Sequence, residues 1–266
     1  TTRPAGSHMC SLIVLRGLHA SHPLVVAANR DERTDRRASP PGLYEGARRR
    51  LLSPRDRVAG RTWLAVDDRG RLAALTNVHG QPPVIDAPSR GHLPHLVLDH
   101  DDLGEGLAAV RERVAEHAHA AFQLVVADPS RVVVLRHVGS ELRQVEWDEP
   151  VLAVSNEHAP GQLALRGLQP ALAPGLSVSQ RLDALAHVLR DRGGGGHHAL
   201  LKLGEHYGTV SSSLVAVPRR DPAELVWRYA AGPPDRTPYR DYGNLGRHLR
   251  AARAPAAGAR GVVQLR

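Results

Sequence analysis

Short apolar runs bounded by turn-forming residues recur along the chain, at lengths that suit strands better than helices. Asp67 to Gly70 separates two of these runs and predicts a hairpin turn in which glycine supplies a positive φ. Asp128 to Ser130 predicts a second turn of this kind. The predicted strands are Ser11–Arg16, Leu24–Ala28, Thr62–Val66, Arg71–Thr76, Phe122–Ala127, Val132–Arg136, Val151–Val154, Val210–Val217 and Leu225–Tyr229.

Helical spacing replaces this pattern in two places. Apolar residues recur at helical spacing from Leu103 to Val114, directly after the N-cap candidates Asp101 and Asp102. Ser177 and Gln180 resemble a capping box before a second apolar stripe, and a short helix is predicted near Leu200. Strands, then helices, then strands again predict an α+β domain of antiparallel sheets flanked by helices.

Composition limits the classes of function. The 42% of hydrophobic residues are enough for a sizeable core in a chain of 266 residues. The net charge of +8 comes from arginines scattered among acidic residues, which argues against a nucleic-acid partner. A single cysteine excludes an internal disulfide and a multi-thiolate metal site. No run long enough to span a membrane and no signal peptide is visible, so a cytoplasmic location is expected.

The two ends of the chain differ from the part between them. Gly6 to Met9 reads as a common cloning junction, so residues 1–9 are expected to be a vector remnant or a natural N-terminal extension. Residues 10–245 are expected to form the domain. Residues 246–266 are rich in Ala, Gly, Pro and Arg and are expected to be a disordered tail.

The chemistry of interest centres on Cys10, which directly follows a methionine. A cysteine at a mature N-terminus carries a thiol nucleophile and an α-amine with a pKa of about 8, so the amine can act as the general base. A lone cysteine in a strand is otherwise a small buried apolar residue. The position of Cys10 after Met9 therefore makes it the candidate nucleophile.

Polar groups end several of the predicted strands, where a rigid sheet meets an open surface. Asn77 and Asn156 are expected to stabilise the oxyanion formed when an amide carbonyl is attacked. Arg30 and Asp31 are expected to orient the thiolate and the ammonium. The alternatives are purely structural: residues 29–32 form a solvated turn, and the two asparagines only cap strand ends.

Several sequence blocks resemble one known family. Ala27-Ala28-Asn29-Arg30-Asp31-Glu32 looks like the signature of the NRDE family, the transport-and-Golgi-organisation type two proteins. Further agreeing blocks are Gly60–Leu64, Leu72–Asn77, Ser89–Gly91, Val154–Asn156 and Tyr207–Thr209. That family is similar in turn to the choloylglycine hydrolase and penicillin V acylase branch of the N-terminal-nucleophile (Ntn) hydrolases.

This resemblance implies a four-layer αββα sandwich of antiparallel sheets. It also implies catalytic roles for an N-terminal cysteine, an arginine and an aspartate after the second strand, and two later asparagines, the places that Cys10, Arg30, Asp31, Asn77 and Asn156 fill. Asn29 could equally take the acidic position. One departure is Val210, where family members usually carry arginine, so a charge on the substrate side is expected to be missing.

The predicted function is cleavage of a linear amide bond, or acyl transfer, through a thioester on Cys10. Asn29, Trp63 and Arg90 are candidate substrate contacts, although Trp63 also suits a core position. The expected partner is a small amide or acyl substrate; neither a cofactor nor a metal is expected, because His92, His95 and His100 match no standard site spacing. The alternative is a non-enzymatic protein that binds and traffics haem, lipid or acyl-coenzyme A. The oligomeric state is left open.

Overall fold

The computed structural model describes residues 10–194 and 198–249. The strands are β1 (Ser11–Arg16), β2 (Leu24–Arg33), β3 (Ala38–Glu45), β4 (Arg50–Asp56), β5 (Leu64–Asp67), β6 (Leu72–Asn77), β7 (Phe122–Ala127), β8 (Val132–Val138), β9 (Glu141–Trp147), β10 (Val151–Ser155), β11 (Tyr207–Val217), β12 (Val226–Ala230) and β13 (Arg240–Asp241). The helices are α1 (Leu93–Leu98), α2 (Leu103–Glu116), α3 (Gln169–Leu172) and α4 (Val178–Val188), with 3-10 turns at Arg90–His92, Pro222–Glu224 and Gly243–His248.

Within these residues the strands form two antiparallel sheets. The first has six strands in the order β10-β1-β2-β11-β12-β13, and the second has seven in the order β3-β4-β5-β6-β7-β8-β9. Side chains alternate across each strand, so one face of the first sheet meets the second sheet and the other meets helices. On β1, Leu12 and Val14 pack between the sheets, whereas Ile13 and Leu15 pack under the helices.

Three apolar clusters show four layers. One cluster lies between the two sheets and includes the buried Trp227. A second lies between the first sheet and α4, and a third lies between the second sheet and the helices α1 and α2. The order is therefore helix, sheet, sheet, helix, which confirms the predicted α+β class and the αββα sandwich.

Both predicted helix starts are confirmed. The side chain of Asp102 accepts hydrogen bonds from the backbone N–H groups of Gly104 and Glu105 at the start of α2. At α4, Ser177 and Gln180 form the reciprocal capping box. These side chains satisfy N–H groups that the first helical turn leaves without partners.

Four strands were not predicted, and one predicted helix is wrong. Strands β3, β4 and β9 fall in segments where proline and charged residues interrupt the apolar pattern, and β13 has only two residues. The segment near Leu200 is not helical, because the N–H groups of Leu200 and Leu201 both donate to the carbonyl oxygen of Asp191. That pattern folds the segment back on the end of α4 instead of continuing a helix.

The described structure continues past residue 245, the expected end of the domain. The 3-10 turn Gly243–His248 crosses it, and Leu249 is fully buried in the cluster between the sheets. Residues 1–9, most of the expected tail and part of the glycine run at residues 193–196 lie outside the described residues. No helix among those described is long and apolar enough to span a membrane.

Candidate active site

A cavity of about 340 Å³ opens at one end of the sandwich, where strands of both sheets end. Its walls come from Cys10 and β2 in the first sheet, from β4, β6 and the segment before β5 in the second, and from the loop before the 3-10 turn at Arg90. Six of the eight residues singled out from the sequence line it: Cys10, Arg30, Asp31, Trp63, Asn77 and Arg90.

Cys10 lies directly before β1 and is half-buried at the cavity wall. It precedes Leu12 and Val14 by even steps, so strand alternation places its side chain on the face between the sheets. The thiol donates to the backbone carbonyl oxygen of Asp31 at 3.6 Å. Burial and the neighbouring Asp31 carboxylate raise the pKa of this thiol to about 12, so it is protonated at neutral pH.

Asp31 is buried beside Cys10, and only one of its carboxylate oxygens is paired. Oδ1 accepts a hydrogen bond from the Thr209 hydroxyl at 2.6 Å, across the pairing of β2 with β11. Oδ2 is buried and has no hydrogen-bond partner among the described residues. Burial raises the pKa of this carboxyl to about 8, although Thr209 and the charge of Lys202 act in the opposite direction. A nearby cation would satisfy the unpaired oxygen.

The backbone carbonyl oxygen of Asp31 accepts two hydrogen bonds. One comes from the Cys10 thiol and the other, at 2.7 Å, from the hydroxyl of Tyr207. A β-bulge lies opposite this point, between Thr209 and Ser211. Val210 is the extra residue of the bulge and is not among the residues that line the cavity.

Arg30 forms part of the cavity wall in a buried ion network. Its Nη2 donates to Oδ2 of Asp56 at 2.5 Å and lies 3.5 Å from Oε2 of Glu32. Arg36 contacts the same two carboxylates, at 2.8 Å from Asp56 and 3.2 Å from Glu32. The guanidinium of Arg30 also lies over the ring of Trp63, 4.6 Å from its centroid. These contacts hold Arg30 in one position.

The two candidate oxyanion donors lie at strand ends, one in each sheet. Asn77 ends β6 and lines the cavity. Asn156 follows β10, and its backbone N–H donates to the carbonyl oxygen of Cys10 at 3.2 Å. The side-chain amide of Asn156 donates to Nε2 of His79 at 3.1 Å, although Asn156 is not part of the cavity wall. The fold thus brings both asparagines to the end of the sandwich that holds the thiol.

Asn29 is the predicted site residue that the structure places elsewhere. Its side-chain nitrogen donates to the carbonyl oxygens of Leu189 and Leu200, both at 2.9 Å, on the helix-facing side of the first sheet. The alternation that points Arg30 toward the second sheet points Asn29 away from it. Asn29 therefore ties β2 to the segment after α4 and does not line this cavity.

Several residues at the site were not identified from the sequence. Asp56, Arg36 and Arg61 line the cavity, while Thr209 and Tyr207 hold Asp31. In the sequence, Tyr207 and Thr209 belong to a block that resembles the family but has no assigned role. The pairing of β11 with β2, which sets Thr209 opposite Asp31, gives them one. Arg36 precedes β3 and Asp56 ends β4, two strands that the sequence did not predict.

Two of the candidate histidines lie beside this cavity, in a neighbouring hollow. No group of three or more potential metal ligands comes together in residues 10–194 and 198–249. His92 and His95 line a second hollow of about 620 Å³ that adjoins the first. His95 contacts Ser53, and burial lowers the pKa of its imidazole to about 4, so it is neutral at pH 7. The described residues bring together the protonated thiol of Cys10, the Asp31 carboxyl with one oxygen hydrogen-bonded, and the side-chain amides of Asn77 and Asn156 at strand ends.

Comparison with known proteins places this geometry in context. Residues 9–192 match the family model described as Transport and Golgi organisation 2. The Transport and Golgi organization protein 2 homolog of Bos taurus is 36% identical over 115 residues, 41% of this chain and 40% of that protein. The Mus musculus homolog is 33% identical over 114 residues, with the same coverage. The matched segment thus spans less than half the length of these relatives.

Two solved structures superimpose on this chain at low sequence identity. The Caenorhabditis elegans ortholog of N-acylethanolamine-hydrolyzing acid amidase superimposes with a TM-score of 0.52 at 12% identity, covering 78% of this chain and 92% of that one. A mutant of conjugated bile acid hydrolase from Clostridium perfringens gives a TM-score of 0.47 at 10% identity, covering 88% of this chain and 92% of that one. At such identities the likeness to the amidase is one of fold, that of the Ntn hydrolases.

Proposed function

The chain belongs to the Transport and Golgi organisation 2 family, and we propose that it is an Ntn hydrolase that cleaves a linear amide bond, or transfers its acyl group, through a thioester on Cys10. The observation that carries the proposal is the pairing of Cys10 with Asp31. The thiol donates a hydrogen bond to the backbone carbonyl oxygen of Asp31. The side chain of Asp31 has a buried carboxylate oxygen with no hydrogen-bond partner among the described residues. A newly released α-ammonium group on Cys10 would supply the missing cation.

The base in this proposal is the α-amine of Cys10. Its unperturbed pKa of about 8 leaves part of it neutral at physiological pH. While Cys10 is joined to Met9, that nitrogen is an amide and cannot accept the thiol proton. Cleavage of the bond between Met9 and Cys10 creates the base, and the resulting ammonium lowers the pKa of the thiol from its raised value of about 12.

The reaction then follows the order of covalent acyl transfer. The amine takes the thiol proton, and the thiolate attacks the amide carbonyl to give a tetrahedral oxyanion. Asn77 and Asn156 donate to this oxyanion; a donor of this kind contributes roughly 3–4 kcal/mol. The ammonium returns its proton to the leaving amine, which leaves a thioester on Cys10. Water attacks the thioester with the amine again as base, or an acyl acceptor takes the place of water.

The remaining cavity residues position the reacting groups in this account. Arg30 is fixed by Asp56 and Trp63, so it presents a constant positive charge beside Asp31 and the thiol. Trp63 and Arg90, which line the same cavity, contact the substrate. The volume of about 340 Å³ suits a small acyl amide rather than a long peptide.

The test is to trap the thioester. The chain beginning at Cys10 is incubated with N-octanoylglycine, the reaction is quenched in acid, and the mass of the intact protein is measured by mass spectrometry. The expected result is a mass increase of one octanoyl group that hydroxylamine removes, and its loss in Cys10→Ala. Because Cys10 is the only cysteine, no other thiol can carry the group. Equal turnover by Cys10→Ala would contradict the proposal.

The Cys10→Ala variant also distinguishes this proposal from the alternative, a non-enzymatic protein that binds haem, lipid or acyl-coenzyme A. That alternative predicts saturable binding of haem or acyl-coenzyme A without turnover that depends on Cys10. The Ntn proposal predicts turnover that disappears in Cys10→Ala while binding of the acyl substrate persists.

A further inference from the structure

The first residues of β11 hold Asp31 at two separate atoms. The hydroxyl of Tyr207 donates to the backbone carbonyl oxygen of Asp31 at 2.7 Å, and the hydroxyl of Thr209 donates to its Oδ1 at 2.6 Å. Both contacts cross from β11 to β2, where Thr209 is the register partner of Asp31. The remaining acceptor of Asp31 is Oδ2, which is buried and has no hydrogen-bond partner among the described residues.

The hydroxyl of Thr209 is itself fixed by the segment before β11. The backbone N–H of Lys202 donates to Oγ1 of Thr209 at 3.0 Å, and the backbone N–H of Thr209 donates to the carbonyl oxygen of Lys202 at 2.8 Å. The two backbones run so close that a Cβ on Gly208 would lie 2.8 Å from that carbonyl oxygen. A hydroxyl has one proton to donate. Because Oγ1 already accepts from Lys202, its proton is directed to Asp31.

The bond between Thr209 and Asp31 is shielded from water. Both residues are only 3% exposed, so neither side chain can exchange its partner for solvent. The separation of 2.6 Å is typical of a hydroxyl that donates to an ionised carboxylate. Burial raises the pKa of the Asp31 carboxyl to about 8, and the bond from Thr209 acts against that rise. Thr209 therefore fixes the orientation of this carboxylate and favours its charged form.

The oxygen that remains lies beside the nucleophile. The Cys10 thiol donates to the backbone carbonyl oxygen of Asp31 at 3.6 Å. Strands β1 and β2 pair from Ser11 and Asn29 onward, so the nitrogen of Cys10 lies at the end of β1 that adjoins Asp31. An ammonium group has three protons to donate, and its bonds to a carboxylate are among the stronger hydrogen bonds. Oδ2 of Asp31 thus suits an ammonium group at Cys10.

We infer that Thr209 is a positioning residue, which holds the Asp31 carboxylate in one orientation so that Oδ2 binds the α-ammonium group of Cys10. This inference rests on the proposed function for the presence of that ammonium group. Thr209 does not line the cavity and acts through Asp31. By fixing the amine, it sets the direction from which the base reaches the thiol and the pH at which the base is free.

The first measurement titrates the α-amine directly. In the chain that begins at Cys10, isotope-labelled cysteine marks Cys10 alone, because the sequence has no other cysteine. An NMR titration of this label then gives the pKa of the α-amine without any turnover. In the wild-type chain we expect this pKa to lie above its ordinary value of about 8, because a buried carboxylate stabilises the ammonium form.

Two substitutions separate the hydroxyl of Thr209 from its shape. Thr209→Val removes the hydroxyl and keeps the branched side chain, so it is expected to lower the pKa of the α-amine. Thr209→Ser keeps the hydroxyl and is expected to retain the wild-type titration. Thr209→Ala, which also lacks the hydroxyl, is measured beside Thr209→Val as a second variant with the same expected result.

Hydrolysis of N-octanoylglycine provides the second measurement. Thr209→Val is expected to lower kcat at pH 7 about tenfold to a hundredfold, the effect of losing one hydrogen bond to a charged group. KM is expected to stay close to the wild-type value, because Thr209 does not line the cavity. The acid limb of the pH profile is expected to move to lower pH with the amine, and Thr209→Ser is expected to restore both kcat and the profile.

Ser212→Ala is the matched control. Ser212 is buried on the same strand, and its hydroxyl contacts the carbonyl oxygen of Ala28 at 3.4 Å and the hydroxyl of Tyr239 at 2.8 Å. Its loss removes a buried hydroxyl from β11 without removing a donor to Asp31. This variant is expected to lose stability as Thr209→Val does, but to keep the α-amine titration and kcat of the wild-type chain.

Three results would overturn the inference: a wild-type α-amine that titrates at or below about 8, an unchanged titration in the variants that lack the hydroxyl, or the same change in Ser212→Ala. The first result requires no variant, so it decides the matter even if the Thr209 variants do not fold. The NMR titration also separates this inference from the proposed function. A chain that titrates as expected but forms no thioester would refute the thioester mechanism alone. Turnover with an unchanged titration in Thr209→Val would refute only the role of Thr209.

Discussion

Replacing Asp56 by asparagine tests whether the ion network under the cavity is as buried as the structure describes. One carboxylate oxygen of Asp56 accepts from Arg30 at 2.5 Å, and the other accepts from the backbone N–H groups of Val58 and Ala59 at 2.9 Å. Asparagine keeps an oxygen for the turn but presents an NH₂ group to Arg30 and Arg36. The substitution is nearly isosteric, so it removes charge without opening a cavity.

The expected loss follows from burial. The side chains of Arg30 and Asp56 are only 5% and 9% exposed. Removing one partner of a buried ion pair costs about 3–5 kcal/mol. Glu32 still contacts both arginines, so we expect the lower end, about 3 kcal/mol, which lowers Tm by roughly 6–12 °C in a domain of this size.

Asp35→Asn is the matched control, measured by urea and thermal unfolding at pH 7. Arg33 and Asp35 also approach to 2.5 Å, but their side chains are 69% and 67% exposed. An exposed pair is screened by solvent, so its loss is expected to be barely measurable. Equal losses of stability in Asp56→Asn and Asp35→Asn would refute the reasoning, because the two pairs differ mainly in burial.

Three further predictions concern Asn29, Asp31 and Cys10. Asn29→Ala should lower the free energy of unfolding by about 1–3 kcal/mol, because two buried carbonyl groups lose their hydrogen-bond donor. It should leave KM unchanged. A raised KM with unchanged stability would instead indicate that Asn29 contacts the substrate. In the chain that keeps residues 1–9, stability should fall as pH rises from about 4 to about 8, since folded Asp31 holds its proton to about 8 while the unfolded chain releases it near 3.9. The slope is at most about 1.4 kcal/mol per pH unit, and urea unfolding of Asp31→Asn should lack it; matching pH profiles would contradict this. In that chain, the rate at which iodoacetamide alkylates Cys10, measured by mass spectrometry, should keep rising beyond pH 10, because the pKa of the thiol is raised to about 12. A rate that levels off just above pH 8.5 would show an ordinary thiol.

The sequence predicted elements well where one local signal was sufficient. Ser11–Arg16 is a strand with the predicted bounds, and the caps at Asp102 and Ser177 begin the helices as expected. Strand β4 was missed although it lies inside the second sheet, because Pro54 and its arginines conceal the apolar residues Leu51 and Leu52.

That omission limited what could be said of the site. The carboxylate that fixes Arg30 is Asp56, at the end of β4, so a missed strand meant a missed partner. The polar cluster after β2 shows which residues meet at a strand end but not which face each occupies. Alternation places Arg30 between the sheets and Asn29 under α4, and only the packed sheets reveal that assignment.

The central claim is that Cys10 acts through its own α-amine. The most direct measurement compares hydrolysis of N-octanoylglycine by the chain that begins at Cys10 with hydrolysis by the chain that retains residues 1–9, both verified by intact mass and N-terminal sequencing. The account predicts turnover that depends on Cys10 in the first chain and little or none in the second, because an amide nitrogen cannot accept the thiol proton. Equal rates in the two chains would contradict it.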